Sequence, residues 1–340
     1  MSIQPIFLLS LPRSGSTLVQ RVLSTYPEVA TASEPWVLLP FLTPLEPEMP
    51  LATGWQGTVN DAFRDFVAEL PRAEEDYLER LRPFAEQLYA EAADPGARYF
   101  LDKTPPYHWI VDQLFKLFPD AKFVFLWRNP LSVVASVIET FCAGRWRPDG
   151  YRGTLFEAPR NLVASYDRHR DRSIAIRFED LIGGDSEPWR RLTAYLELDF
   201  SADSLSAFTG VSFNGRHGDP TGTRLYSSVS REPLDKWRLS IRTPVRRLWC
   251  ERYLRWLGPR LLGEMGYDLD RLLTELRKAP NGRGGMARDV GDLTRAMARE
   301  AAGMAVLGTR GMSNWGLLRA APSAGPTPSA EPAGSVETRV

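Results

Sequence analysis

Over its first two hundred positions the chain repeats one pattern: a short apolar run, a polar turn, then apolar residues at helical spacing. PIFLLSLP (5–12) is bounded by proline and shows little polar alternation, which predicts a strand buried on both faces of a parallel sheet. Residues 17–25 follow as a helix with Leu18, Val22 and Leu23 on one side. Residues 60–93 carry Leu78, Leu81, Phe84, Ala85 and Leu88 at helical spacing. ARYFLDK (97–103) predicts a short strand, and residues 112–118 a helix stopped by Pro119. AKFVFLWR (121–128) is a second buried strand. It leads into NPLSVVASVIETF, with Asn129 as N-cap and Pro130 at the first helical position. RSIAIRFED (172–180) predicts a third strand, and PWRRLTAYLEL (188–198) another helix. Strands alternating with helices specify an α/β fold, a single domain whose parallel β-sheet is flanked by helices.

The pattern breaks at APNGRGG (279–285). One domain is therefore expected over 1–278, a weakly helical extension over 279–319 (its helix at 286–307), and a disordered tail over 320–340. In that tail Pro, Ala, Ser, Gly and Thr dominate, and it holds too little apolar surface to offset the entropy of ordering.

Composition narrows the classes. With 340 residues, 43% of them hydrophobic, the chain can bury a large core. Lys+Arg and Asp+Glu both number 42, so no global charge points to nucleic acid or an acidic membrane surface, and any basic site must be local. Cys142 and Cys250 lie far apart without metal-type spacing, which argues against a disulfide framework and fits a reducing, cytoplasmic setting. The amino-terminal apolar stretch lacks a basic leader and runs into Arg13, unlike a secretion signal. No run approaches the ~20 apolar residues of a spanning helix.

Two segments carry anion chemistry. In PRSGST (12–17) a turn meets a helix N-terminus, where unpaired N–H groups and the helix dipole favour an anion. Gly15 lets the backbone approach ligand oxygens, Ser14, Ser16 and Thr17 add hydroxyls, and Arg13 offers a planar fork for phosphate or sulfate. The Gly-Lys step of a nucleotide triphosphatase is missing. In RNPLSVVAS, Arg128 ends a strand and Ser136 lies roughly two helical turns on, so one phosphate reaches both only beside the helix. Taken separately, the loop also reads as an ordinary strand-to-helix turn, and Arg128 and Ser136 as a salt-bridge partner and a buried helix hydroxyl. Together they suit the crevice at the carboxyl ends of adjacent parallel strands.

LPRSGSTLVQRVLSTYPEV, DKTP, LFPDAKFVFLWRNPLSVVAS and RFEDL together resemble the sulfotransferase family, over roughly residues 5–200, with a weaker echo at LDKW (234–237). The resemblance implies a P-loop NTPase-like architecture and the co-substrate 3′-phosphoadenosine-5′-phosphosulfate (PAPS), with adenosine 3′,5′-bisphosphate as product and no metal. It implies that residues Arg13 to Thr17 grip the 5′-phosphosulfate, and that Arg128 and Ser136 hold the 3′-phosphate. Phe178 falls where an aromatic near the adenine is common, and Lys236 with Trp237 where a C-terminal segment closes on the nucleotide. Arg13 stands where the cytosolic branch has lysine, as in tyrosylprotein sulfotransferases.

Sulfuryl transfer needs positioning, electrostatic stabilisation and removal of the acceptor's proton. Lys103 in DKTP is the candidate cation for the leaving oxygen. Glu34 in YPEVATASEPW aligns with the glutamate base of tyrosylprotein sulfotransferases. His108 is the rival base, although the cytosolic branch places histidine two residues after the lysine, where this chain has Pro105. Segments 36–60 and 139–160 are expected to shape the pocket for a hydroxyl acceptor, a small molecule or carbohydrate. They carry Trp36, Trp55, Phe141, Trp146 and Tyr151, and the cluster Arg145, Arg147 and Arg152, which is either a solvated basic loop or a recruiter of an anionic acceptor. The rival functions are an ATP-dependent kinase on a related loop and a nucleotide-binding protein without catalysis.

Overall fold

The computed structural model describes residues 3–46, 54–211, 213 and 229–306. Five strands form one parallel sheet: β1 (Gln4–Ser10), β2 (Val29–Thr31), β3 (Tyr99–Asp102), β4 (Lys122–Trp127) and β5 (Ser173–Arg177). Their order is β2-β3-β1-β4-β5, and every pairing is parallel. The longer helices among the described residues are α1 (Ser16–Leu23), α2 (Gly54–Ala68), α3 (Glu74–Ala92), α4 (Val111–Leu117), α5 (Pro130–Phe141), α6 (Ala158–Arg168), α7 (Glu187–Tyr195), α8 (Pro244–Glu264), α9 (Leu269–Lys278) and α10 (Met286–Val306).

The sheet is buried on both faces, as its apolar runs predict. Phe7, Leu9, Phe123, Phe125 and Trp127 point into one core, and Ile6, Leu8, Val124, Leu126 and Ile176 into the other. The alternation is the period of two that sends successive side chains to opposite faces. Each such fully buried aliphatic or aromatic side chain contributes on the order of 1.5–3 kcal/mol. Asn129 caps α5 as expected, its side chain accepting the Leu131 N–H at 2.9 Å.

The structure departs from the pattern at several points. The third strand stops at Arg177, and Phe178–Leu181 forms a helical turn. Arg177 and Asp180 pair there at 2.6 Å, a contact at i,i+3 that only a turn allows. The helix expected over 60–93 is two helices, because Asp76 accepts the Arg72 N–H at 3.0 Å and Ala73 turns to φ 46°. β2 is three residues long, too short to show a period. α6, α8 and α9 have no counterpart among the predicted elements. α8 hides its period because Gly258 (φ 71°) and Pro259 break it into two segments of different phase.

Beyond residue 278, α10 is docked through two buried carboxylates. Asp289 is fully buried, holds both Nε and Nη2 of Arg246 at 2.9 Å and accepts from Thr243 at 2.8 Å. Asp292 pairs with Arg145 and lies 3.7 Å from Arg147. The disordered tail expected for 320–340, like 307–319, lies outside the described residues. Among the described residues no helix is long and apolar enough to cross a membrane.

Candidate functional site

Because all five strands are parallel, the residues that follow them emerge at one edge of the sheet. Arg13 to Thr17 follow β1, Glu34 follows β2, Lys103 follows β3, Arg128 follows β4 and Phe178 follows β5. Positions up to 165 residues apart in sequence are thus carried to one end of the sheet.

The loop after β1 is shaped by two residues in the left-handed region, Arg13 (φ 71°) and Gly15 (φ 87°). For arginine this costs roughly 1–2 kcal/mol, strain of the kind that clusters at ligand sites. Gly15 is the N-cap of α1 and brings no side-chain cap, so the first N–H groups of the helix face the loop without an intrahelical partner. Ser14 is wholly buried, and its hydroxyl has no hydrogen-bond partner among the described residues. The glycine is required on space as well as on φ, since a Cβ there would lie 2.2 Å from Cε2 of Phe178.

The second segment folds onto the first. Arg13 Nε donates to Ser136 Oγ at 3.1 Å, and Arg128 Nη1 donates to the Arg13 carbonyl at 2.7 Å. The guanidinium of Arg128 lies over the Phe178 ring at 4.7 Å. The two anion candidates therefore form one continuous patch, with Arg13 touching both members of the Arg/Ser pair. Phe178 belongs to the core and forms its floor, between Gly15 and Arg128.

Glu34 and Lys103 form a second centre. Lys103 Nζ donates to Glu34 Oε1 at 2.6 Å, with side chains 1% and 12% exposed, and the indole N–H of Trp36 donates to Oε2 at 3.1 Å. A lysine this deeply buried persists only when paired. Lys236, in contrast, sits in a helical turn (Lys236–Ser240) packed on α5, where its half-exposed ammonium meets Glu232 at 2.8 Å. His108 is buried beside Asn161 (3.4 Å), and burial pushes its pKa down to about 3, which leaves it neutral and a poor base near pH 7.

A family model described as "Sulfotransferase family" matches residues 5–202, more than half of the chain and all five strands. The chain belongs to the sulfotransferase family. Among curated proteins, this chain is 31% identical over 138 residues to the nodulation protein NoeE of Sinorhizobium fredii, a match spanning 40% of this chain and 31% of that protein. It is 22% identical over 240 residues to a putative protein-tyrosine sulfotransferase of Caenorhabditis briggsae (69% of this chain, 80% of that one). To protein-tyrosine sulfotransferase 1 of Danio rerio it is 23% identical over 274 residues (77% and 72%). Among solved structures, the sulfotransferase domain from the curacin biosynthetic pathway superposes with a TM-score of 0.53 at 22% identity, covering 78% of this chain and 98% of that domain.

Several residues of the candidate site escape a reading by motif. Gln20, fully buried on α1, donates to Thr31 Oγ1 at 2.8 Å and to the carbonyls of Ala32 and Ser33 at 2.6 and 3.2 Å, tying α1 to the segment that carries Glu34. Asp102 is buried beneath Lys103 and accepts from Tyr89 (2.7 Å), Tyr107 (2.9 Å) and Thr104 (2.8 Å). Burial pushes its carboxyl up from the ordinary range, and the three hydroxyls oppose that. Thr104 Oγ1 in turn accepts the Trp36 N–H at 3.3 Å. A glutamine inside an apolar helix was the one available signal.

The expected acceptor aromatics divide. Trp146 is core, while Phe141 stacks on Tyr151 at 5.4 Å near the surface and Trp36 stays partly exposed. The side chain of Trp55 lies outside the described residues. Arg145 and Arg147 both reach Asp292 of α10 while keeping their side chains 34% and 40% exposed.

Proposed function

We propose that this sulfotransferase moves a sulfuryl group from PAPS to a hydroxyl group of a small-molecule or carbohydrate acceptor. What carries the reading is the continuous cationic patch at the uncapped start of α1, where Arg13 reaches Ser136 and Arg128 reaches the Arg13 carbonyl. The buried, unpartnered Ser14 hydroxyl and the absent Cβ at Gly15 suit a ligand oxygen brought close to the backbone. Arg13, Ser14, Gly15, Ser16 and Thr17 would hold the 5′-phosphosulfate, with Arg128 and Ser136 holding the 3′-phosphate.

PAPS supplies an activated sulfuryl group on a phosphate leaving group. The chain supplies the rest. Glu34 would take the acceptor's hydroxyl proton on a carboxylate oxygen, and Lys103, held against that carboxylate, would offer positive charge to the leaving oxygen. Phe178 acts as the floor of the donor site, and Lys236 would join the nucleotide only by exchanging its contact with Glu232.

Calorimetric titration with adenosine 3′,5′-bisphosphate, ADP and ATP, with and without Mg²⁺, tests the reading. Metal-independent binding that favours the bisphosphate is expected. Binding of ATP that requires Mg²⁺ would replace it with the kinase reading.

A further inference from the structure

The family match ends at residue 202, yet a turn beyond it is fastened to the donor site. Gly266 and Tyr267 join α8 to α9. The Tyr267 hydroxyl donates to Glu179 Oε2 at 2.6 Å, and Glu179 Oε1 accepts the N–H of Asn129 at 2.9 Å. Asn129 directly follows Arg128. A second contact holds the same turn, because Arg177 Nη1 donates to the Gly266 carbonyl at 2.9 Å. Gly266 has φ 82°, and a Cβ there would lie 2.9 Å from Cδ of Arg177, so the turn is seated closely on the RFED segment. Burial raises the Tyr267 phenol well above its ordinary value, which keeps the hydroxyl a donor throughout the neutral range.

Arg128 is a long, rotamer-rich side chain, and it binds an anion well only if the backbone that carries it is fixed beforehand. The Phe178 ring fixes the guanidinium at 4.7 Å, and the Arg13 carbonyl takes one of its N–H groups. Glu179 fixes the next peptide. We propose that Glu179 and Tyr267 are positioning residues of the 3′-phosphate subsite, through which the α8–α9 hairpin sets the geometry of Arg128. The inference rests on the assignment of Arg128 to the 3′-phosphate given under Proposed function.

The test compares Tyr267→Phe, Glu179→Ala and Glu179→Gln with the unaltered full chain, titrated with adenosine 3′,5′-bisphosphate, adenosine 3′-monophosphate and adenosine 5′-monophosphate. Tyr267→Phe removes one oxygen and is expected to weaken the bisphosphate and the 3′-monophosphate by about three- to ten-fold, with the 5′-monophosphate changed less than about two-fold. Glu179→Ala is expected to lose more, and Glu179→Gln to recover part of it, because its amide oxygen still accepts the Asn129 N–H. Should Glu179→Ala fail to fold, Tyr267→Phe and Glu179→Gln carry the test. Unchanged bisphosphate affinity in Tyr267→Phe would overturn the proposal, as would an equal loss for the 3′- and 5′-monophosphates, which would mark a general loosening. A folded, unaltered protein that binds no bisphosphate would overturn the donor reading itself and this inference with it.

Discussion

Gly15→Ala tests the proposed donor loop at one methyl group. The residue has φ 87°, where an L side chain costs roughly 1–2 kcal/mol, and its new Cβ would meet Phe178 Cε2 at 2.2 Å and Cδ2 at 2.3 Å. Those ring atoms lie in a packed core, so they yield only by shifting the whole ring, and overpacking of this kind costs about 1–3 kcal/mol. The ring also carries the guanidinium of Arg128, so the displacement spreads to the second half of the site. The two contributions separate in a double-mutant cycle read by urea unfolding. Alone, Gly15→Ala is expected to lose about 2–5 kcal/mol of stability, the steric and backbone contributions together. In a Phe178→Ala background the steric part disappears, and only the backbone strain of about 1–2 kcal/mol remains. Titration with adenosine 3′,5′-bisphosphate is expected to show lost affinity in the single variant. An equal cost in both backgrounds, or a single variant with native stability and affinity, would refute the placement of the ring beneath the loop.

Glu34→Gln and Lys103→Met are expected to abolish sulfuryl transfer while leaving bisphosphate affinity nearly intact, checked by labelled-PAPS assays against a panel of hydroxyl acceptors and by calorimetry; near-native turnover of Glu34→Gln would return attention to His108. His108 links stability to pH: its folded pKa of about 3 lies below the unfolded value near 6.5, so stability is full above pH 6.5 and falls as the unfolded state takes up the proton. This amounts to about 1.5 kcal/mol between pH 6.5 and pH 5, a loss that His108→Gln should remove from urea titrations at those two pH values. Asp289→Ala strands Arg246 in the core without its carboxylate and is expected to cost about 3–5 kcal/mol, read from the unfolding midpoint.

The strands β1, β3 and β4 were legible because a strand buried on both faces must be apolar almost throughout, and few other elements produce that run. The end of β5 was not, because Phe178 is apolar enough to continue a strand and only the Arg177–Asp180 pairing turns the chain there. The left-handed turn at Gly15 was legible too, since glycine at a strand-to-helix turn is a local, conformational signal. By contrast, the basic cluster Arg145/Arg147 looked alike whether it faced solvent, an acceptor or a carboxylate. Its partner Asp292 lies about 147 residues away, and no local period records such a distance.

What the chain determines by itself, then, is whatever depends on near neighbours: buried strands, capped helices, and the loop that favours an anion. Which side chains meet depends on the parallel order β2-β3-β1-β4-β5, which carries five separate loops to one edge. That order joins Arg13 to Arg128 and Ser136 and presses Lys103 against Glu34, while the docking of the α8–α9 turn brings Tyr267 to Glu179. Long-range contacts of this kind are set by burying two sheet faces at once, so the tertiary structure alone decides them.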